Sequence, residues 1–441
     1  MRRHALRTRS ASRGVRLCKN SRMFAASRNR QARRLFALTV AAVLLSLVLL
    51  AKYGRHPDTA TLQILHHAVT SPVGTDSTYY MQMGEQAFRG PSHLIYRDLF
   101  FTQHQKFIYP PSSLFLLRVL GAGGRLHVSS DTALMVLLVV SWIGVLALAV
   151  WLYRIESGSS SVAESACVVL LGVLFLPIAE ALYRGQVQML LTCLWGAAVL
   201  LWIRGRTGWS GFVIALTCAF KPQLGVFLLW GLLRRKWRFT IALAGAGFVI
   251  AAVSVLHYGL RNHLDYLQVL SYLGRHGEAL WANQSFNGLL NRLLRNGDAM
   301  SWSLTVYPPY VPVIFVMSTA LSLLMLTAAL VAPWFGGWQG TAADFLLLGC
   351  SSVLISPIAW EHHYGYFFFL MVFLLARAGT LTTMRWGVLA ACLLIMANRL
   401  PPLDHRMSGG ISLVSSYMLY AGLALLILLG VEQRRRAELH V

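Results

Sequence analysis

Residues 208–233 read GWSGFVIALTCAFKPQLGVFLLWGLL, and the topology of the chain turns on whether they cross a membrane once or enter and return. Arg204 and Arg206 precede the stretch and RRKWR follows it at 234–238. Basic residues beside apolar blocks stay on the cytoplasmic side, so a single crossing would strand one cluster outside. Read as two arms of about 12 residues, each ~18 Å long, the stretch is a hairpin that enters from the inside and goes back. Lys221-Pro222 is then the tip. Proline cannot continue a helix, and a lysine at that depth costs ~2.5–3.5 kcal/mol on insertion scales. It calls for an anionic partner, unless it snorkels to the outer surface.

The rest of the chain supports a membrane setting. Of 441 residues 56% are hydrophobic and only 12% charged, and the apolar residues fall in blocks of about 15–25, long enough to cross a ~30 Å hydrocarbon core. The net charge of +23 does not indicate nucleic-acid binding: 12 of the 39 basic residues lie in the first 34 positions, and most others flank apolar blocks. The six cysteines, Cys18, Cys167, Cys193, Cys218, Cys350 and Cys392, form no CxxC pair and read as small hydrophobes. The acid-free segment 1–34 and LFALTVAAVLLSLVLLAKY at 35–53 resemble a signal peptide, but the apolar run is too long and lacks a nearby cleavage site. We read it as an uncleaved first span; a start at Met23 would leave that reading unchanged.

One arrangement keeps every basic cluster inside. It has about ten full spans, at 35–53, 131–153, 162–178, 187–203, 238–258, 308–334, 342–358, 364–377, 386–398 and 412–430, with both termini cytoplasmic. The expected organisation is a basic tail (1–34), one transmembrane domain (35–430) with outer loops 54–130 and 259–307, and a basic tail (431–441). The fold class is an all-α polytopic membrane protein. YPPSSLFLLRVLGAGG at 109–124 is too short to cross; it reads as an outer-face helix with Pro110 and Pro111 in its first turn.

In this topology the polar residues collect on the outer face. The short helix expected at 77–89 opens at Asp76, an N-cap or a functional carboxylate, and ends before Gly90. Acidic residues there are few: Asp58, Asp76, Glu85, Asp98, Glu180, Asp265, Glu278, Asp298, Glu361 and Asp404. Glu361-His362-His363, in SPIAWEHHYGYFFFL (356–370), is no metal site by spacing, since helical neighbours point about 100° apart and no HExxH occurs.

DSTYYMQMGEQAFRG (76–90), FIYPP (107–111), YRGQVQMLL (183–191), GFVIALTCAFKPQLGVFLL (211–229), NQSFNGLLNRLL (283–294) and SPIAWEHHY (356–364) together resemble, in order, the motifs of glycosyltransferase family 87, polyprenol-phosphate-mannose-dependent α-mannosyltransferases of the GT-C superfamily. The family more often has Asn where Gln188 stands. The resemblance implies a GT-C-type fold and a donor that is a polyprenyl-phosphate-linked hexose, mannose first. It implies transfer to a glycan or glycolipid outside the cytoplasmic membrane; we expect no cofactor, and no residue set in the sequence reads as a metal site. Such a donor has an anionic phosphate ester as leaving group, so one carboxylate suffices, deprotonating the acceptor hydroxyl and giving inversion. The resemblance places that base at Asp76, with Asp98 as second choice. Lys221, His362, His363 and Arg292 would meet the phosphate, with Arg184 a further candidate. Tyr80, Gln186, Gln188, Asn283, Gln284, Ser285 and Trp360 would line the sugar or acceptor, although Trp360 and Tyr364 also suit an interfacial aromatic belt. RLPPLDHR (399–406) is a further acceptor-side candidate. A lysine at a helix break is equally how a transporter or flippase for lipid-linked saccharides builds a site; a lipid-phosphate hydrolase would release free sugar without acceptor.

Overall fold

A computed structural model describes residues 2–54, 60–70, 76–121, 129–399 and 413–440. Asp58, Asp404 and most of RLPPLDHRMSG (399–409) lie outside the described residues. The helices, in chain order, are α1 (Arg2–Tyr53), α2 (Thr61–Thr70), α3 (Asp76–Arg89), α4 (Leu114–Gly121), α5 (Ser130–Ser157), α6 (Val162–Val173), α7 (Leu176–Tyr183), α8 (Gln188–Ile203), α9 (Thr207–Cys218), α10 (Val226–Leu233), α11 (Trp237–His276), α12 (Phe286–Leu293), α13 (Pro312–Phe335), α14 (Ala342–Leu354), α15 (Gly365–Leu375), α16 (Thr383–Met396) and α17 (Tyr417–His440).

Among the described residues five helices are long and apolar enough to cross a membrane, or six if the bent pair α6–α7 is one span, fewer than the ten read from sequence. The difference has local causes. Pro177 lacks an N–H and sits in the first turn of α7, after Phe175 in extended backbone, so α6 and α7 meet at 56°. Expected spans 342–358 and 364–377 contain helices of only 13 and 11 residues, because Pro357 and the turn around Trp360 interrupt the apolar run. α11 outruns its expected end at 258: it breaks at Gly259, whose φ of 81° and ψ of 148° suit only glycine, and resumes to His276. The outer-loop helices form where expected, α3 from Asp76 and α4 after a 3₁₀ turn at Pro111–Ser113.

The stretch 208–233 reverses on itself. α9 ends at Cys218, a 3₁₀ turn runs Pro222–Gly225, and α10 follows. In one straight helix Gly211 and Gly231 would lie ~30 Å apart. Instead both abut the first turn of α11, where a Cβ on Gly211 would collide with the Phe239 carbonyl and one on Gly231 with Thr240 Oγ1. An aromatic core anchors these arms. Trp195 and Trp202 of α8 stack on Phe345 of α14 at 5.4 and 5.2 Å, and Phe227 and Trp230 of α10 and Phe239 of α11 close around it. Arg234, read from sequence only as a topology signal, is buried and forks onto Asp344 at 2.7 and 3.3 Å. Because backbone faces Gly211, Gly211→Val should cost about 1–3 kcal/mol, read as a lower melting temperature of the purified protein in detergent.

Candidate active site

Asp76 opens α3 half-buried, and its surroundings come from three distant stretches. Its backbone N–H donates to the Arg184 carbonyl at 3.3 Å, and its Oδ2 accepts from Gln186 Nε2 at 3.1 Å. Ser77 Oγ accepts from the Val187 N–H at 2.8 Å. The turn joining α7 to α8 is thereby docked on the first turn of α3. Tyr109 adds the third side, its hydroxyl donating to Gln186 Oε1 at 3.3 Å and its ring lying 6.2 Å from Tyr80. Three residues on, Ser112 donates to the Ala219 carbonyl at 2.6 Å, which fastens the YPPSS turn to the hairpin tip. Burial raises the Asp76 carboxyl above the ordinary aspartate range, with the Arg184 charge and the Gln186 hydrogen bond opposing it.

The hairpin tip delivers Lys221 beside His362 and His363, whose rings pack edge to face at 4.7 Å. Among the described residues the Lys221 ammonium has no carboxylate partner. Burial, then the positive charges of Lys221 and Arg184, hold His362 down to about 3. It is therefore a neutral imidazole, one N–H donor and one acceptor. Between the histidines and Asp76 runs a buried ionic chain. Arg184 pairs with Glu180 Oε1, Arg399 Nη2 lies 2.6 Å from Glu180 Oε2 and 2.9 Å from Glu361 Oε2, and the Tyr417 hydroxyl donates to Glu361 Oε1 at 2.6 Å. Polar groups thus run from Asp76 through Arg184 and Glu180 to His362 and Lys221.

The family model for glycosyltransferase family 87 matches residues 107–357, more than half of the chain. The chain belongs to glycosyltransferase family 87. It is also similar, at 28% identity over 232 residues, to the polyprenol-phosphate-mannose-dependent alpha-(1-2)-phosphatidylinositol pentamannoside mannosyltransferase of Mycolicibacterium smegmatis, covering 51% of this chain and 52% of that protein. The match spans about half the length of that curated relative. No solved structure matches the chain.

Several residues that the family resemblance suggested lie elsewhere in this family 87 chain. Asn283, Gln284 and Ser285 are fully buried and spend their side chains on protein. Asn283 Oδ1 accepts from the Ala359 N–H at 2.8 Å and its Nδ2 donates to the Glu278 carbonyl at 2.8 Å. Gln284 donates to the carbonyls of Trp281 and Ser415, at 2.8 and 2.7 Å. Ser285 caps α12 and donates to the Pro357 carbonyl at 2.9 Å. The NQS loop thus braces the SPIAW segment through Pro357 and Ala359. Arg292 is likewise occupied, with Nη1 on the carbonyls of Leu280 and Asn283 at 2.8 and 3.0 Å and Nη2 on Ser416 Oγ at 2.7 Å, so the structure does not bring it to Lys221. Gln188 is buried in the first turn of α8, its amide 3.4 Å from Thr192 Oγ1. Asp98 sits in the segment Arg97–Thr102, bonded by Ser92, without contact to Asp76. Trp360 is half-buried, 5.3 Å from the Trp302 ring, and forms a backbone bridge with Asn283.

Sequence reasoning missed Tyr109, Glu180 and Tyr417 as parts of this candidate site, and singled out Arg399 only as the first residue of the acceptor-side candidate RLPPLDHR. Glu180 and Arg184 had a visible signal, an acid and a base four apart in the turn between two apolar runs. Nothing local pairs Arg399 or Tyr417 with Glu361, since only the return of the C-terminal helices places them there.

Proposed function

We propose that this family 87 chain transfers mannose from a polyprenyl-phosphate carrier to a glycan or glycolipid acceptor, on the outer face of a cytoplasmic membrane in which both termini face inward. The observation that carries the reading is one half-buried aspartate, held by Gln186, at the end of a polar chain whose other end is a lysine, without a carboxylate partner among the described residues, beside two neutral histidines. An acceptor hydroxyl loses its proton to the Asp76 carboxylate as its oxygen attacks the anomeric carbon. The bond from that carbon to the phosphate oxygen breaks, and polyprenyl phosphate leaves with the electron pair. The product configuration is inverted. Lys221 supplies the point charge that a phosphate needs, and His362 and His363 supply N–H donors without demanding a second buried cation. Arg399, Glu361 and Glu180 hold the histidines in place. The activity of the mycobacterial relative supports the donor class, and the acceptor is the open half of the proposal.

The test is transfer of radiolabelled mannose from polyprenyl phosphate mannose to lipid and glycan acceptors by the purified protein in detergent. Acceptor-dependent transfer supports the reading; free mannose without acceptor would indicate hydrolysis. No turnover from any lipid-linked sugar would favour a transporter.

Two outcomes are expected in that assay. Lys221→Ala should raise the donor KM and lower kcat, because the charge it supplies is needed both for the bound donor and for the leaving phosphate. The acid limb of the kcat/KM profile should lie above the ordinary aspartate pKa of about 3.9, since burial raises the Asp76 carboxyl and only its ionised form accepts a proton. A limb at or below that value would argue against Asp76 as the base.

A further inference from the structure

A second ligand-binding feature lies away from the Asp76–Lys221 site, on the arginine-rich edge of the first span. Ala26, Asn29, Arg30, Arg33, Arg34 and Ala37 of α1 line an open groove of about 470 Å³ with Trp386 of α16. Their spacing puts them on one helical face. The opposite face is docked inward: Gln31 is buried with its amide 2.9 Å from the Tyr153 hydroxyl, and Leu35 is fully buried. Gly379 completes the seat, where a Cβ would collide with the Ser27 carbonyl. The groove face therefore cannot rotate away.

Arg34 is held in place. Its Nη1 donates to the carbonyls of Ala378 and Leu381 at 2.6 and 2.9 Å, and its guanidinium lies 5.5 Å from the Trp386 ring centre. Arg30 and Arg33 stand exposed on the same face. None of the three is in an ion pair among the described residues, and no carboxylate lines the groove. Two carboxylates near this end of the bundle are engaged, Glu156 by Arg377 at 2.5 Å and Glu432 by Arg385 at 2.6 Å. Three guanidinium groups converging on one groove repel one another and favour an anion, and their planar forks suit a phosphate.

Position selects the kind of anion. The groove spans the point where the polar tail gives way to the apolar run at Leu35, within the candidate span Ala26–Tyr53. Beyond Ala37 the same face continues as Val40 and Leu44, exposed by 40% and 56%. A charged head beside an exposed apolar track is the outline of an amphiphile, and a tryptophan at the boundary suits the glycerol level of a bilayer. We propose that the α1–α16 groove binds the phosphate head group of an anionic membrane lipid.

The experiment is titration of the purified full-length protein with phosphatidylglycerol, phosphatidylcholine and inorganic phosphate, read by native mass spectrometry. Phosphatidylglycerol should bind at least ten-fold more tightly than phosphatidylcholine. Arg30→Gln/Arg33→Gln should weaken phosphatidylglycerol binding about thirty-fold and leave phosphatidylcholine unchanged. Arg97→Gln/Arg275→Gln, which removes equal charge from exposed positions elsewhere, should leave both unchanged. Both groove arginines are exposed, so an unaltered melting temperature in detergent alone shows that the variant is folded, and Arg30→Lys/Arg33→Lys should retain part of the preference. Wild-type affinity in the Arg→Gln pair overturns the proposal. So does displacement of phosphatidylglycerol by an equal concentration of inorganic phosphate, which would reduce the groove to a free-anion site.

Discussion

Asp76→Asn is expected to lower mannose transfer by about a thousand-fold while leaving the fold intact, the usual scale for losing a positioned general base. The substitution is nearly isosteric, and asparagine retains a carbonyl oxygen for Gln186 Nε2, now 3.1 Å from Asp76 Oδ2. What disappears is the site that takes the acceptor proton. Donor binding should persist, so the loss appears in kcat more than in donor KM. Gln186→Ala, which frees the carboxylate without removing it, should give a smaller loss and a shifted acid limb. Asp98→Asn is the control; its carboxylate is bonded by Ser92 and does not touch Asp76. Full activity in Asp76→Asn would overturn the assignment and make Asp98 the next carboxylate to test.

Arg399→Leu is expected to destabilise the protein by about 3–5 kcal/mol, the cost of leaving a buried charge without its partner. Arg399 bridges two carboxylates that are themselves buried, Glu180 and Glu361. Among the described residues Glu180 would keep Arg184, whereas Glu361 would keep only the Tyr417 hydroxyl. Burial already raises the Glu361 carboxyl, with the Arg399 charge opposing that rise. Removing the guanidinium therefore leaves Glu361 to bind a proton or expose itself to water. The double variant Arg399→Leu/Glu361→Gln should recover part of the loss, since the orphaned charge is gone. Thermal unfolding in detergent measures both. Equal melting temperatures for wild type and Arg399→Leu would show that the bridge does not hold the WEHH turn.

Much of this was legible along the chain. Lys221-Pro222 announced a break because proline has no N–H to offer, and the flanking arginines announced that both arms return to one side. The first turn of α3 at Asp76, the prolines before α4 and the long apolar runs of α5 and α13 are likewise local. Less legible was how many runs are long straight helices: Pro177 bends a run that reads as one span, and the helix expected to end at 258 resumes beyond Gly259.

The sequence by itself determined that the chain is a helical membrane protein with a lysine at a hairpin tip, because apolar length, proline and basic flanks act through neighbours in the chain. Its motifs also pointed to the family. Only the tertiary structure decided what each polar residue of those motifs does. Gln186 reaches Asp76, whereas Asn283 and Ser285 turn inward onto Ala359 and Pro357, and Gln284 and Arg292 onto Ser415 and Ser416. A buried polar side chain must find a partner, and the partners here lie up to 219 residues away, as Glu180 and Arg399 do. Local spacing carries no record of such pairings.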